Sequence, residues 1–372
     1  MLITGAVLEE VGRIGPYAET TPITIGELEL DPPGSHELLV RIETAGLCHS
    51  DLSVVDGNRP RPTPMLLGHE AAGIVEETGP HVDDVTIGER VVMTFLPRCG
   101  RCRACRTDGL VPCEPGSSAN NAGTMLEGGS RLRRGGEVVH HHLGVSGFAT
   151  YAVVDRRSVV PVDDDVPAEV AALMGCAVLT GGGAALNVGR PQAGDTFAVV
   201  GLGGVGMAAL LAALGETDVE VVAVDTLAAK RARATELGAH RAVAPDEAMG
   251  LGITADVVIE AAGNVQAFET AVAITGPGGR TVTVGLPAPD ARAAVSPLGL
   301  VTQGRSIVGS YLGSAVPGRD IPVFVERWRA GRLPVGELVS SRIGLPEVNR
   351  AMDELAAGHA VRQLVVFDAN ER

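Results

Sequence analysis

Lysine is all but missing from this chain: of its 30 basic residues Lys230 is the only lysine, and the others are arginines. Such a bias follows genome composition, so the lone ammonium is either chance or a place where a flexible cation is wanted. An excess of positive charge is missing too. The formal net charge is −15 with no basic stripe to offset it, which argues against nucleic acid and acidic membrane surfaces as partners. Long hydrophobic runs are absent; the longest apolar stretch, residues 197–214, is short for a bilayer span and rich in glycine. The opening MLITGAVLEE has no basic segment ahead of an apolar one, so no secretory signal is visible and a soluble, cytoplasmic protein is expected. Neither an internal repeat nor a low-complexity linker interrupts the 372 residues, a length that suggests two or three domains.

With 45% hydrophobic and 20% charged residues, the composition is that of an ordinary globular protein. Up to about residue 95 it reads as short alternating strands between turn signals, for example residues 36–42 after Asp31-Pro32-Pro33-Gly34 and residues 71–77 before Gly79-Pro80. Residues 97–147 are rich in Cys, Gly, Arg and Asn with little periodicity, and read as an extended lobe and loop. Strand character resumes at 151–154, and a helical pattern from about Pro167 carries Cys176 past Thr180. Near Thr196 the style changes to apolar strands at 197–200, 219–224, 257–260 and 281–284, with helical segments between. That alternation predicts an α/β fold with a doubly wound parallel sheet. The expected division is a mostly β domain over 1–177, a dinucleotide-binding domain over 178–314, and a tail over 315–372 that returns to the first domain.

Six cysteines without a signal peptide point to metal ligands rather than disulfides. Cys99, Cys102, Cys105 and Cys113 follow one another at steps of three, three and eight, and two-residue gaps let neighbouring thiolates face one tetrahedral centre. Arg98, Arg101, Arg103 and Arg106 interleave and can offset the thiolate charge. A structural zinc is the expectation, with an iron–sulfur cluster or free thiols as alternatives. Cys48 and Cys176 are then left over. Cys48 opens the stretch Cys48-His49-Ser50-Asp51 that leads to Gly68-His69-Glu70, a soft and a borderline donor suited to zinc. The bland alternative is a buried thiol and a core histidine in one region.

Gly201-Leu202-Gly203-Gly204-Val205-Gly206 directly follows an apolar strand and opens a helix, a context in which the glycines allow a tight turn and close approach to a pyrophosphate at the helix N-terminus. Asp225 ends the next strand, at the distance expected of a carboxylate that holds ribose hydroxyls and repels a 2′-phosphate. NAD is therefore expected rather than NADP. Lys230, one helical turn on, is placed to touch the same ribose.

Taken together, the Cys48–Asp51 run, Gly68-His69-Glu70, the four-cysteine lobe, Gly175-Cys176, the glycine loop and Asp225 resemble a zinc-dependent medium-chain alcohol dehydrogenase over nearly the whole length. The resemblance implies a mostly β, GroES-like catalytic domain with a structural zinc lobe, and a Rossmann domain. It also implies a catalytic zinc on Cys48, His69 and Cys176, with Asp51 orienting His69 and Glu70 close behind the metal. Ser50 matches the relay hydroxyl that takes the alcohol proton. His49 and Arg362 match basic positions near the cofactor pyrophosphate, and Thr180 and Val205 match cofactor contacts. One departure is Ser53, where family members with a full proton relay often carry histidine.

The segment 115–147 resembles the long-loop branch of that family, whose members are commonly dimers, so a homodimer is expected. Phe95 and His142 are placed by position in the substrate pocket with Arg59 at its mouth, and His140-His141-His142 is read as loop and wall packing rather than a further metal site. Three functions are compatible with these residues: an NAD-dependent zinc alcohol dehydrogenase, a thiol-dependent formaldehyde dehydrogenase, and a non-catalytic zinc-stabilised binding protein. Ser117 and Ser118 stand where glutathione-type enzymes offer an arginine, and the intact set Cys48, His69, Cys176, Ser50 and Asp225 argues against the third.

Overall fold

The computed structural model describes residues 1–367. Within it the chain forms two compact units. One comprises Met1–Cys176 together with the segment from Val339 onward, and the other Ala177–Leu338.

The first unit is mostly β. Leu2–Leu8, Ile23–Leu30, Leu132–Arg134, Glu137–His141 and Met65–Leu66 close into a small barrel. A second sheet runs Val159–Val162, Arg90–Met93, Glu70–Thr78, Glu37–Leu47, Arg362–Val366, Val339–Ile343, and Tyr151–Asp155 also pairs with Glu37–Leu47. Its apolar face, with Leu38, Val40, Ile42, Val75 and Val91, belongs to one buried core. The register of this sheet builds the site. Gly46 pairs with Glu70 and Leu47 with Gln363, so Cys48, His69 and Arg362, each next to one of those residues, arrive together from three distant parts of the sequence. The last helix, Val348–Ala356, is tied to the N-terminal region: Asp353 accepts the Tyr17 and Ala18 N–H groups at 2.6 and 2.9 Å.

The second unit is a parallel six-stranded sheet in the order Arg241–Val243, Glu220–Val224, Thr196–Val200, Ala255–Glu260, Thr275–Thr283, Ser306–Gly309. Strand order reverses on either side of Thr196–Val200, and a doubly wound sheet binds its ligand at such a point. Val199, Val222 and Val258 are almost fully buried, as strands covered on both faces require.

Two expectations change. The return to the first unit begins at Val339 rather than at 315. The helix Pro317–Arg329 stays with the second unit, where a Cβ on Gly182 would touch the Phe324 ring at 3.1 Å and Arg327 pairs with Glu216 at 2.5 Å. Nor is 97–147 merely lobe and loop, because it holds the helix Glu114–Ala122 and the barrel hairpin Leu132–Arg134/Glu137–His141.

Candidate active site

Cys48 follows directly on the strand Glu37–Leu47 and caps the short helix His49–Val55. Asp51, three residues in, accepts the Cys48 N–H at 3.0 Å on Oδ2, so the capping carboxylate itself sets where the thiol stands. Its Oδ1 takes the Gly68 N–H at 3.3 Å and lies 3.0 Å from His69 Nδ1. Gly68 has φ +89° and no room for a side chain, since a Cβ would lie 2.5 Å from the Phe148 nitrogen. The other face of His69 carries the chemistry. Its Nε2 is 3.5 Å from Cys176 Sγ, which is 4.0 Å from Cys48 Sγ. A tetrahedral zinc with ordinary bond lengths separates two sulfurs by ~3.8 Å and a sulfur from a nitrogen by ~3.6 Å. The three donors therefore fit zinc, and three protein ligands leave one position for substrate.

The electrostatics agree. Burial opposes the charge of the fully buried Asp51, but the His69 and His142 imidazoles outweigh it and hold the carboxyl well below the usual range. The Cys176 hydrogen bond, with Arg362 adding to it and burial opposing, pulls the Cys48 thiol down toward a thiolate, while the same bond and burial push the Cys176 thiol up, so in the absence of metal the pair shares one proton. Burial pushes Glu70 up to about 7 against the pull of Arg362.

The second metal set is equally well formed. Cys99 and Cys105 Sγ are 3.9 Å apart, and Cys99, Cys102, Cys105 and Cys113 lie together as a four-sulfur group. Backbone N–H groups of Cys99, Cys102, Cys105 and Gly116 donate to sulfurs of the set at 3.3–3.5 Å, which stabilises thiolates. Of the interleaved arginines, Arg98 donates to Cys105 O and Arg106 to Arg101 O.

In the second unit the glycine loop turns tightly between the strand Thr196–Val200 and the helix Gly204–Leu214. Gly201 has φ +94°, and a Cβ on Gly206 would meet Gly201 O at 1.8 Å, so both positions demand glycine. Gly203 caps the helix Gly204–Leu214 and has open space above it. Asp225 accepts Leu202 N–H at 2.7 Å and Leu227 N–H at 2.8 Å, which fixes its carboxylate beside the loop. Lys230 and Val205 are partly exposed and Thr180 is buried. A cavity of ≈ 270 Å³ lined by Asn264, Phe268, Thr283, Pro287 and Arg292 lies in this unit, and none of the anticipated site residues lines it.

Some placements differ from expectation. Arg362, anticipated at the pyrophosphate, is 2% exposed and turned onto the metal set: it donates to Leu47 O at 3.3 Å and Cys48 Sγ at 3.5 Å, and Nε is 3.2 Å from Glu70 Oε1. His142, anticipated as pocket wall, instead has Nδ1 3.0 Å from Asp51 Oδ1. Phe95 does reach the site, its ring edge-on to His69 at 5.7 Å. Ser50 and Arg59 are partly exposed and His49 is exposed. Ser53 donates its hydroxyl to His49 O at 2.8 Å.

A GroES-like β unit with a three-donor centre and a four-cysteine lobe, together with a doubly wound sheet carrying a dinucleotide loop, defines a zinc-binding dehydrogenase. The comparisons agree. Residues 34–164 match the alcohol dehydrogenase GroES-like domain and 204–328 the zinc-binding dehydrogenase domain. The chain is 36% identical to the NDMA-dependent alcohol dehydrogenase of Amycolatopsis methanolica, with all of both chains covered. It superposes on benzyl alcohol dehydrogenase from Acinetobacter calcoaceticus with a TM-score of 0.90 and 28% identity, over 99% of this chain and 100% of that one. A zinc-binding dehydrogenase from Sinorhizobium meliloti 1021, solved with NADP bound, gives a TM-score of 0.79 and 25% identity over 99% and 100% of the two chains. The chain belongs to the zinc-dependent medium-chain alcohol dehydrogenase family.

Proposed function

We propose that this chain is a zinc- and NAD-dependent dehydrogenase that moves a hydride reversibly between the carbinol carbon of a small alcohol and a nicotinamide. The observation that carries the reading is the buried trio Cys48, His69 and Cys176, at zinc-like spacing with a place left for substrate. A zinc ion there supplies the Lewis acidity that makes the substrate hydroxyl proton easier to lose, and a nicotinamide supplies the hydride acceptor.

The chain's own residues do the rest. Asp51 fixes the tautomer and direction of His69 by accepting at Nδ1. Arg362 lays a buried positive charge against the Cys48 thiolate, which offsets part of the charge of the ligand set. Ser50, partly exposed, would accept the substrate proton on its hydroxyl oxygen as its own proton passes to water. The proton's onward path by-passes Ser53, whose hydroxyl is spent on His49 O. One relative is solved with NADP bound. Asp225 favours NAD here, because its carboxylate repels a 2′-phosphate.

The test is product formation by zinc-loaded protein with NAD across aliphatic, aromatic and terpenoid alcohols, following aldehyde or ketone as well as NADH. Arms with NDMA added are included because the Amycolatopsis relative depends on it. Further arms hold formaldehyde with and without a small thiol. Turnover of free alcohols supports the proposal. Turnover of formaldehyde only with thiol moves the function to the thiol-adduct reading, and no product in any arm, with NAD and both zincs bound, sinks both.

A further inference from the structure

We propose that His142 is a positioning residue for the metal-binding imidazole of His69, acting through Asp51. The inference rests on the catalytic-zinc reading above. Asp51 is 0% and His142 1% exposed, so bulk solvent reaches neither partner. Asp51 Oδ2 is occupied by the Cys48 N–H, and Oδ1 is approached by Gly68 N at 3.3 Å and by the Nδ1 atoms of His69 and His142, both at 3.0 Å. The approach of His142 is oblique, without an aligned hydrogen bond of its own. With its proton on Nδ1, His142 presents a positive N–H edge to Asp51 Oδ1 from a second direction, at 3.0 Å. Contacts to both oxygens oppose rotation of the carboxylate about its Cβ–Cγ bond, a rotation that would release the Cys48 N–H and His69 together.

The rings support the same role. His142 stands nearly perpendicular to His69, 85° between planes and 5.2 Å between centroids, and so limits how far the ligand ring can turn. The position of His142 is itself fixed by the fold. It directly follows the strand Glu137–His141, whose parallel pairing with Met65–Leu66 (Leu66 opposite His141) delivers it beside the segment that leads into Gly68 and His69. Its N–H donates to Ser146 Oγ at 3.0 Å, and its carbonyl accepts from Val145 N at 3.1 Å and Ser146 N at 3.2 Å. A side chain that only walled a pocket would not need its imidazole turned onto a buried carboxylate.

The experiment tracks metal rather than turnover. Wild type and variants are loaded with cobalt(II), and the visible spectrum and the rate of metal release to a chelator are recorded for both sites. His142→Phe keeps an aromatic ring but removes the N–H, and is expected to release the metal of the three-donor site roughly 10–100-fold faster with an altered cobalt spectrum. His142→Asn places an amide N–H close to the position of Nδ1 and is expected to stay within about threefold of wild type. Release from the four-cysteine lobe should not change in either. Imidazole nitrogen NMR of the zinc-loaded wild type provides a readout that does not depend on any variant folding: the proposal requires the proton of His142 on Nδ1. Unchanged release and spectrum in His142→Phe, or a proton found on Nε2, overturns this proposal alone. Wild-type protein that takes cobalt only at the lobe overturns the catalytic-zinc reading, and this proposal with it.

Discussion

Gly175→Ala should destabilise the protein even though the residue lies in a helix. Gly175 sits in the helical stretch Met174–Val178 that carries Cys176, and its φ is not in the left-handed region. Propensity alone would make alanine better there by ~0.8–1.0 kcal/mol. A Cβ at this position, however, would lie 1.9 Å from Met93 O and 3.0 Å from Met93 C. Reaching an allowed separation of about 3 Å requires a shift of roughly 1 Å, because real carbon–oxygen contacts begin near there. Met93 cannot supply it, since it is paired on both sides, with Val159 and with Ala71. The helix must move, and Cys176 moves with it. Overpacking of this kind costs ~1–3 kcal/mol, which exceeds the propensity gain in most of that range. The expected outcome is a net loss of up to about 2 kcal/mol in urea unfolding at constant m-value, with faster metal release from the three-donor site. A variant as stable as wild type, or more stable by the propensity increment, would refute the reasoning.

Three further outcomes are expected. Asp51→Asn turns an amide N–H2 toward a backbone donor whichever way it is flipped, so metal retention at Cys48, His69 and Cys176 should fall ~10–100-fold, seen as one metal lost per chain while the lobe keeps its own; equal retention contradicts the role given to Asp51. Asp225→Ser should weaken NAD binding by at least ~10-fold and narrow the preference over NADP, read by fluorescence titration with the reduced cofactors, and unchanged affinities count against the ribose contact. Burial, helped by the Arg131 charge, pushes the buried His141 imidazolium down to about 3. The folded pKa is below the unfolded value, so this contribution to stability is complete above pH ~6.5 and lost as pH falls toward 3, at up to ~1.4 kcal/mol per unit. His141→Gln should flatten the decline in urea stability between about pH 6.5 and 5, and parallel declines in the two proteins rule the assignment out.

What could be read from the sequence was what is local. The four cysteines and the glycine loop announce themselves because their ligands and turns are set by short steps in the chain. Cys48 and His69 were legible as donors, but their meeting depends on Gly46 pairing with Glu70, a long-range register. Arg362 reaches Cys48 because Gln363 pairs with Leu47, and no pattern near position 362 reveals this. His142 reaches Asp51 by way of a hairpin whose signal was present and missed. Gly135 and Gly136 both have positive φ, the two-residue turn such hairpins prefer, but the strands beside them are short and charged and show no clean alternation. The helix Glu114–Ala122 was hidden likewise. Pro115 near its start and Gly123 at its end, φ +66°, mark its bounds, while its Ser- and Asn-rich interior has the propensity of a loop.

The most direct test of the central claim is isotopic. Zinc-loaded enzyme with NAD is given an alcohol deuterated at the carbinol carbon, starting with benzyl alcohol, quenched within one turnover, and the released or retained cofactor is weighed by mass spectrometry. The account predicts one deuterium on the nicotinamide for each aldehyde formed, and neither product after Cys176→Ser depletes the three-donor site of metal. Aldehyde without label on the cofactor, or undiminished transfer in the metal-depleted variant, would contradict it.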